Sequence, residues 1–313
     1  MKLRLFFLLC ILYLGGQLSA ADWHIIPVDI SDDLSGMHFT DENNGFITST
    51  SGSIYHLQKS DSGWVFEEQQ LNRPVKGVRF DKNGKDGIAY GIKGVLFKTN
   101  DSGKTWKLDT LNESYAFGGL TYLDDGSVIL IGIDYAKGAG TVGIALKSTD
   151  KCQTWQPLNV KGKRFFSLAE SPDGKLILTS LENIYLSKNN GASWQAVKVP
   201  ARGYVQATAI YGDNGIMIGK GGYLALSDDG GENWEALPIL DNKRNFNDLL
   251  MLDSRRAYIV GTKGEILYTD DAGHNWIPEP CGAPDDLADI ERVGNKLFVC
   301  GKKGGLVYTE IDD

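Results

Sequence analysis

The chain is predicted to be all-β: a seven-bladed propeller of four-stranded antiparallel blades. Three observations point there. All seven tryptophans (Trp23, Trp64, Trp106, Trp155, Trp194, Trp234 and Trp276) recur at roughly 40-residue intervals, a period typical of propeller and solenoid arrays. Most follow one turn sequence, Ser/Thr-x-Asp-x-Gly-x-x-Trp, as in Thr99-Asn-Asp-Ser-Gly-Lys-Thr-Trp106, Ser227-Asp-Asp-Gly-Gly-Glu-Asn-Trp234 and Thr269-Asp-Asp-Ala-Gly-His-Asn-Trp276. The two ends of the chain also hold complementary fragments of one further repeat.

Within a repeat, four strands are legible. In the sixth, Asn247 to Leu252 reads as the inner strand, Arg256 to Gly261 as the second and Glu265 to Thr269 as the third, with Trp276 opening the fourth. Gly261-Thr-Lys-Gly264 joins the second and third strands, and Gly91-Ile-Lys-Gly94, Gly219-Lys-Gly-Gly222 and Gly301-Lys-Lys-Gly304 repeat it. Glycine suits such hairpins because it takes positive φ without steric cost.

The aspartate turn lies between the third and fourth strands. Its carboxylate is suited to accept backbone N–H groups within the turn, and its glycine to adopt a left-handed conformation. A group present in every repeat is turn chemistry, since catalysis or a metal site would need it once. The expected structural positions are Asp101, Gly103 and Trp106; Asp150 and Trp155; Asn189, Gly191 and Trp194; Asp229, Gly231 and Trp234; and Asp271, Gly273 and Trp276. Three copies depart from the pattern. Asn189 replaces aspartate but still accepts a hydrogen bond, Cys152 stands where glycine is expected and predicts a strained or reshaped turn, and Asp61-Ser-Gly-Trp64 is two residues short.

At the ends, Trp23 to Val28 reads as an outer strand with no turn before it, and Gly301 to Thr309 as a third strand with no fourth after it. Pairing them makes a composite seventh blade from about 281–313 and 22–29 and leaves the ring no open edge. Residues 22–313 then form a single domain.

Such turns are those called Asp-boxes or BNR repeats, shared by sialidases, sortilin-type receptors and several seven-bladed propellers. Blade number, chain length, an export signal and the recurrent Gly-x-x-Gly-x-[Ile/Leu]-[Tyr/Phe] strand most resemble the photosystem II stability and assembly factor-like propellers. That resemblance covers nearly all of the mature chain. It implies a non-catalytic assembly or stability factor that docks a membrane protein complex, although a fold does not by itself dictate a function.

Residues 1–21 carry the marks of an export signal: Lys2 and Arg4, an apolar run from Leu5 to Leu14, then small residues at Ser19, Ala20 and Ala21. The run is too short to span a membrane comfortably. Cys10 follows Leu9 early in it, which argues against a lipid anchor. The expected location is the periplasm or the exterior. Removing Lys2 and Arg4 takes the 32 basic residues to 30 against 40 acidic ones, so net charge falls from −8 to about −10. Bulk charge of that sign argues against nucleic acid and anionic membrane as partners.

Three cysteines remain: Cys152, Cys281 and Cys300. Cys281 and Cys300 fall in the composite blade and are the first candidates for a disulfide, with three independent thiols as the alternative. The four histidines, His24, His38, His56 and His274, are scattered over the repeats, so no metal site and no cofactor are expected.

The enzyme alternative is a sialidase-like glycoside hydrolase, with a glycan-binding lectin beside it. A sialidase requires an arginine triad, a tyrosine nucleophile and carboxylates. Its Arg-Ile-Pro signature would fall at His24-Ile25-Ile26-Pro27, where Ile25 occupies the arginine position; Arg79 and Arg292, on inner strands, are the remaining candidates for a channel site. A peptide receptor of sortilin type is a third reading, weakened by the smaller ring and the lack of a second apolar segment.

Propeller topology sorts the loops onto two faces. One carries the Asp-boxes and first-to-second turns and is expected to be acidic, with Asp41, Glu42, Asp81, Asp124, Asp125, Asp173, Asp213, Asp228, Asp229, Asp270 and Asp271. The opposite face carries the interblade links and second-to-third turns and is expected to be basic over blades 2 to 6, with Asp29, Asp32, Asp33, Asp285, Asp286 and Asp289 near the composite blade. There Arg73, Lys93, Lys137, Arg164, Phe165, Arg202, Tyr204, Arg244, Phe246 and Lys263 form the expected partner-binding set, because arginines and aromatics are enriched at the centres of protein interfaces. The segment 132–143, which widens one tryptophan spacing, inserts on this face. The expected partner is a protein and the expected state a monomer.

Overall fold

The computed structural model describes residues 21–136, 142–198, 205–238 and 242–312. Seven four-stranded sheets form the ring, each antiparallel and each ordered from inner to outer strand. Six are built from consecutive strands. The seventh joins Leu287–Val293, Lys296–Gly301 and Leu306–Glu310 to His24–Ile25 from the other end of the chain. His24 pairs with Tyr308 and Ile25 with Val307, and the Ile26 N–H donates to Leu306 O at 2.9 Å. The composite blade expected from the sequence is the one observed. In the sixth blade the strands Phe246–Met251, Ala257–Gly261, Ile266–Thr269 and Ile277–Pro278 lie within a residue or two of the expected bounds.

The core is not central. It is split into seven apolar layers, one between each pair of neighbouring blades. Between blades 1 and 2, for instance, Phe46 and Ile54 meet Val75, Val78, Phe80 and Phe97. Each tryptophan packs on the blade that precedes its own: Trp106 stands edge-on to Phe46, and Trp23 edge-on to Tyr258. Large aromatic surface is thereby removed from water at the rim of every layer.

The Asp-boxes are local turn chemistry. Asp101 accepts the Thr105 N–H at 2.9 Å and the Thr105 hydroxyl at 2.6 Å, while Thr99 Oγ1 donates to it at 2.7 Å. These bonds to the ionised form, from Thr105 first, pull the Asp101 carboxyl down to about 2. Asn189 accepts the Ser193 N–H at 2.9 Å, so the amide does the work of the carboxylate. The turn at Cys152 is not reshaped: its N–H donates to Ser148 Oγ at 2.9 Å, as Gly103 does to Thr99, and its φ of 61° is simply left-handed. The shortened copy forms no box, and Asp61 and Ser62 instead close a tight hairpin flanked by Ser60 and Gly63.

The disulfide expectation is corrected. Cys152, Cys281 and Cys300 are all free and buried. Cys281 lies in the layer between blades 6 and 7 and Cys300 in the layer between blades 7 and 1. They sit on opposite faces of one sheet, which no disulfide spans.

Candidate functional site

Every inner strand carries a register shift near its start, on the face of the links. It falls between Leu34 and Gly36, Val75 and Gly77, Phe117 and Gly119, Phe165 and Ser167, Val205 and Ala207, Phe246 and Asp248, and Leu287 and Asp289. The residue before each bulge is apolar and buried in all seven blades. The bulged residue itself is free to turn toward the channel, since a β-bulge re-aims side chains. Of the bulged residues, Gly118, Phe166 and Gln206 line the channel.

This repeated bulge corrects two expected contact residues. Phe165 and Phe246 are 1% and 4% exposed and plug interblade layers instead of facing a partner. Phe166, one residue on, is half-buried and lines the channel. A signal was present in the sequence: superposing the repeats puts Phe165 and Phe246 in register with Leu34, Val75, Phe117, Val205 and Leu287, which marks a core position.

Inside, a channel of about 550 Å³ is lined by His38, Arg79, Tyr90, Asp248, Asp289 and Glu291 among others. These groups stitch adjacent inner strands that share no sheet. Asp289 accepts the Met37 N–H at 2.7 Å, Glu291 the Phe39 N–H at 3.2 Å, and Asp248 the Ile290 N–H at 3.0 Å. Arg79 Nη1 donates to Met37 O and Val78 O at 2.8 Å each, and His38 Nδ1 lies 2.9 Å from Glu291. Burial, then the Asp289 charge beside it, pushes Asp248 well above the usual carboxylate range. Burial works against the Arg79 charge, but Tyr90, Asp289 and Glu291 together hold its pKa above the usual value. At Lys76 the channel walls lower the ammonium pKa against the pull of Asp248 and Asp289.

The arginines do not assemble a sialic-acid site. Arg79 is committed to backbone carbonyls, and Arg292 turns away, its Nε donating to Gly294 O at 2.9 Å. Ile25 sits 62% exposed on the outer strand, far from any channel. Among the described residues no group of three His, Cys, Asp or Glu side chains is placed to hold a metal.

Around the mouth, links and second-to-third turns share a face as expected, with Gly94 N bonded to Tyr115 O and Gly222 N to Arg244 O. Lys93, Lys263 and Lys303 all take left-handed φ in these turns. That places the Lys263 and Lys303 N–H groups on Asp286 and Asp33, at 3.0 and 3.2 Å. Those aspartates are therefore structural. Of the cations on this face, Lys163 pairs with Glu182 at 2.7 Å, Arg244 with Glu265 at 3.4 Å, Lys302 with Asp286 at 2.7 Å and Lys303 with Asp285 at 2.9 Å. Arg73, Lys93, Lys161, Lys220 and Lys263 are exposed. Arg164 is half-buried with a φ of 53°. Lys137, Arg202 and Tyr204 lie outside the described residues, as do 137–141 of the 132–143 segment. The rest of that segment prolongs the blade 3 hairpin, where Asp134 pairs with Val142.

The box face is less acidic than expected. Lysines cross from blade to blade and meet its aspartates: Lys82 with Asp124 at 2.8 Å, Lys151 with Asp86 at 3.7 Å, and Lys175 with Asp213 at 3.8 Å, Lys175 also holding Asp173 of its own turn at 3.0 Å. Net negative charge there is thus partly internal to the ring.

Against known families, residues 16–310 match the model described as "Photosynthesis system II assembly factor YCF48". The chain belongs to this family. The family is one of non-catalytic assembly factors, which agrees with reading the chain as a non-enzyme. The chain is 24% identical over 305 residues to the "Photosystem II assembly lipoprotein Ycf48" of Synechococcus sp. (strain CC9902), covering 80% of this chain and 88% of the relative. It is 24% identical over 183 residues to "Photosystem II assembly protein Ycf48" of Thermosynechococcus vestitus, covering 56% of this chain and 50% of that one. A solved structure described as "YCF48 bound to D1 peptide" superposes with a TM-score of 0.73 at 21% identity, covering 96% of this chain and all of that one. Virginiamycin B lyase from Staphylococcus aureus superposes at a TM-score of 0.76 with 13% identity, covering 93% of this chain, so the fold alone is common to an enzyme.

Proposed function

We propose that this propeller is an exported assembly factor whose link face, around the channel mouth, docks a polypeptide segment of a membrane protein complex. The observation that carries the reading is the charge asymmetry just described. Arg73, Lys93, Lys161, Lys220 and Lys263 are exposed on one face with no ion pair among the described residues, while on the opposite face Lys82, Lys151 and Lys175 meet aspartates of adjacent blades. Unpaired cations grouped on one face steer an acidic partner and set its orientation. Phe166 offers an apolar contact at the centre of the ring. Family membership supports the reading, as does the D1 peptide named with a structural relative, which makes a photosystem II core protein the first client to try.

Export by residues 1–21 belongs to the same proposal. Several relatives are called lipoproteins, whereas Cys10 of this chain lies inside the apolar run of the leader. The expected mature chain therefore begins near Ala21 or Asp22 without an acyl group, as intact mass of the exported protein will show.

The docking test is a triple charge reversal, Arg73→Glu, Lys93→Glu and Lys263→Glu, against a box-face control of Glu42→Lys and Asp228→Lys. These positions are exposed, so each change shifts stability by less than about 0.5 kcal/mol. Tagged protein recovered from native envelope is expected to lose its co-purifying membrane protein in the triple variant and keep it in the control. Binding is also expected to weaken with salt, since exposed charges are screened over about 8–10 Å. Loss in the control with retention in the triple would place the docking surface on the other face.

A further inference from the structure

The blade whose Asp-box is two residues short pays out that difference as strand. Its outer strand, Gly63–Gln70, is 8 residues long and paired along its whole length with Ser53–Ser60. The other outer strands are 4 residues or shorter: His24–Ile25, Lys107–Thr110, Gln156–Pro157, Gln195–Lys198, Glu235–Ala236 and Ile277–Pro278. Propellers tolerate exposed edges because they keep them short and blunt them with lysine or proline. Lys107, Pro157, Lys198 and Pro278 fit that description. The strand Gly63-Trp-Val-Phe-Glu-Glu-Gln-Gln70 has no lysine, arginine or proline.

The register says which groups lie open. The Leu71 N–H donates to Gly52 O at 2.8 Å, and the tight hairpin pairs Gly63 with Ser60. Antiparallel pairing alternates, so odd-numbered residues point their amide groups at the neighbouring strand. Trp64, Phe66, Glu68 and Gln70 point theirs outward, where no described strand meets them. The side chains along this edge are specific in character. Val65 is 52% exposed, and Glu67 and Glu68 are exposed beside it. On the ring side, Trp64 and Phe66 pack against the layer holding Phe39 and Phe298, and Gln69 Nε2 donates to Gly103 O at 3.0 Å, so the strand is held straight from both faces.

We propose that this edge is a second recognition site, which takes an extended polypeptide segment by strand addition. Its occupant alternates apolar residues with lysine or arginine. Main-chain bonds to Trp64, Phe66, Glu68 and Gln70 supply affinity, and the added strand's cations meet Glu67 across the new ladder, while its apolar residues lie on the other face, that of Trp64, Phe66 and Glu68. The carboxylates of Glu67 and Glu68 disfavour a second copy of this chain, whose own acidic edge would face them. The site lies on the outer rim of its blade, away from the channel mouth.

The test uses the mature protein and the peptide Ac-Lys-Val-Lys-Val-Lys-Val-NH2, followed by fluorescence anisotropy and amide hydrogen exchange. The expected result is saturable binding with new protection at the Trp64, Phe66 and Glu68 amides. An Ac-Glu-Val-Glu-Val-Glu-Val-NH2 peptide, and a version of the first peptide N-methylated at alternate residues, are both expected not to bind. Glu67→Lys is expected to weaken binding about 5-fold, the scale of an exposed charge pair. Glu68→Pro is expected to abolish it, because proline blocks the outward edge without removing a bond to the neighbouring strand. Reversal of Lys93 and Lys263 alone, with Arg73 kept because it follows Gln70 by three residues, is expected to leave this binding unchanged, which separates the two sites. Equal binding of the N-methylated peptide, or protection elsewhere on the ring, would overturn the proposal. So would a concentration-dependent dimer lost on Glu68→Pro, which would assign the edge to a second copy.

Discussion

Trp23 is the residue through which the N-terminus closes the ring, and replacing it with phenylalanine tests that closure directly. The indole is 9% exposed and packs in the layer with Tyr258, Val260 and Leu287. Its Nε1 donates at 3.1 Å to Glu279, itself only 5% exposed. Phenylalanine keeps most of the apolar contact but removes one of two donors from a buried carboxylate, leaving the Ala21 backbone N–H. The lost bond to a charged group costs about 1–3 kcal/mol and the lost ring area roughly 1 kcal/mol more, so about 2–4 kcal/mol in total. Against a typical stability of about 5–15 kcal/mol, such a loss is large. Trp106→Phe is the matched control, because Trp106 Nε1 is buried without a partner and only packing changes there. Urea denaturation at two pH values separates the terms. Burial raises the Glu279 pKa, and the Trp23 bond opposes the rise. A raised folded pKa means that ionised Glu279 costs stability above its unfolded value of about 4.3, and that the cost fades below it. Removing Trp23 Nε1 raises the folded pKa further. The charge-dependent part of the loss in Trp23→Phe is therefore expected to be full at neutral pH, to shrink as pH falls through the raised folded pKa values, and to be gone once pH reaches the ordinary glutamate range. Trp106→Phe is expected to show a smaller, pH-independent loss. Equal losses in the two variants, or a Trp23→Phe loss that ignores pH, would refute the assignment of Glu279 as the bond's acceptor.

Other outcomes follow from the same geometry. Asp101→Asn is expected to keep most of its turn's stability, as Asn189 does in blade 4, whereas Asp101→Ala loses it; thermal melts of the pair check this. The Asp101 and Asp150 carboxyls are both drawn down to about 2, so the stability they lend is complete above their unfolded value near 4 and is lost as pH falls toward 2. An acid titration followed by far-UV circular dichroism is expected to show Asp101→Ala less sensitive over that window. The mature protein is expected to release no thiol to Ellman's reagent until unfolded and then three, with no shift in mobility under reducing conditions; a Cys281–Cys300 bridge would appear as one.

The ring itself was written in the sequence. Blade number, strand order and closure by the two termini follow from turn chemistry that repeats at fixed spacing: an acceptor at Asp101 or Asn189, a left-handed residue two further on, and a tryptophan that must be covered by the preceding blade. Such signals are local, and seven copies reinforce one another. Which loops share a face was also legible, because alternation of loops between two faces needs only strand order.

What tertiary structure decided was direction and pairing. A bulge at the start of every inner strand turned Phe165 and Phe246 into the core and Phe166 into the channel, a difference of one residue that strand alternation alone does not reveal. Cys281 and Cys300 are neighbours in the composite blade yet lie on opposite faces of its sheet. Arg244 and Lys163 lost their free charge to Glu265 and Glu182, and the aspartates of the box face were partly neutralised by lysines from adjacent blades. Charge in a sequence is a count, whereas charge on a surface is what remains after partners distant in the chain have been brought within a few ångströms by the fold.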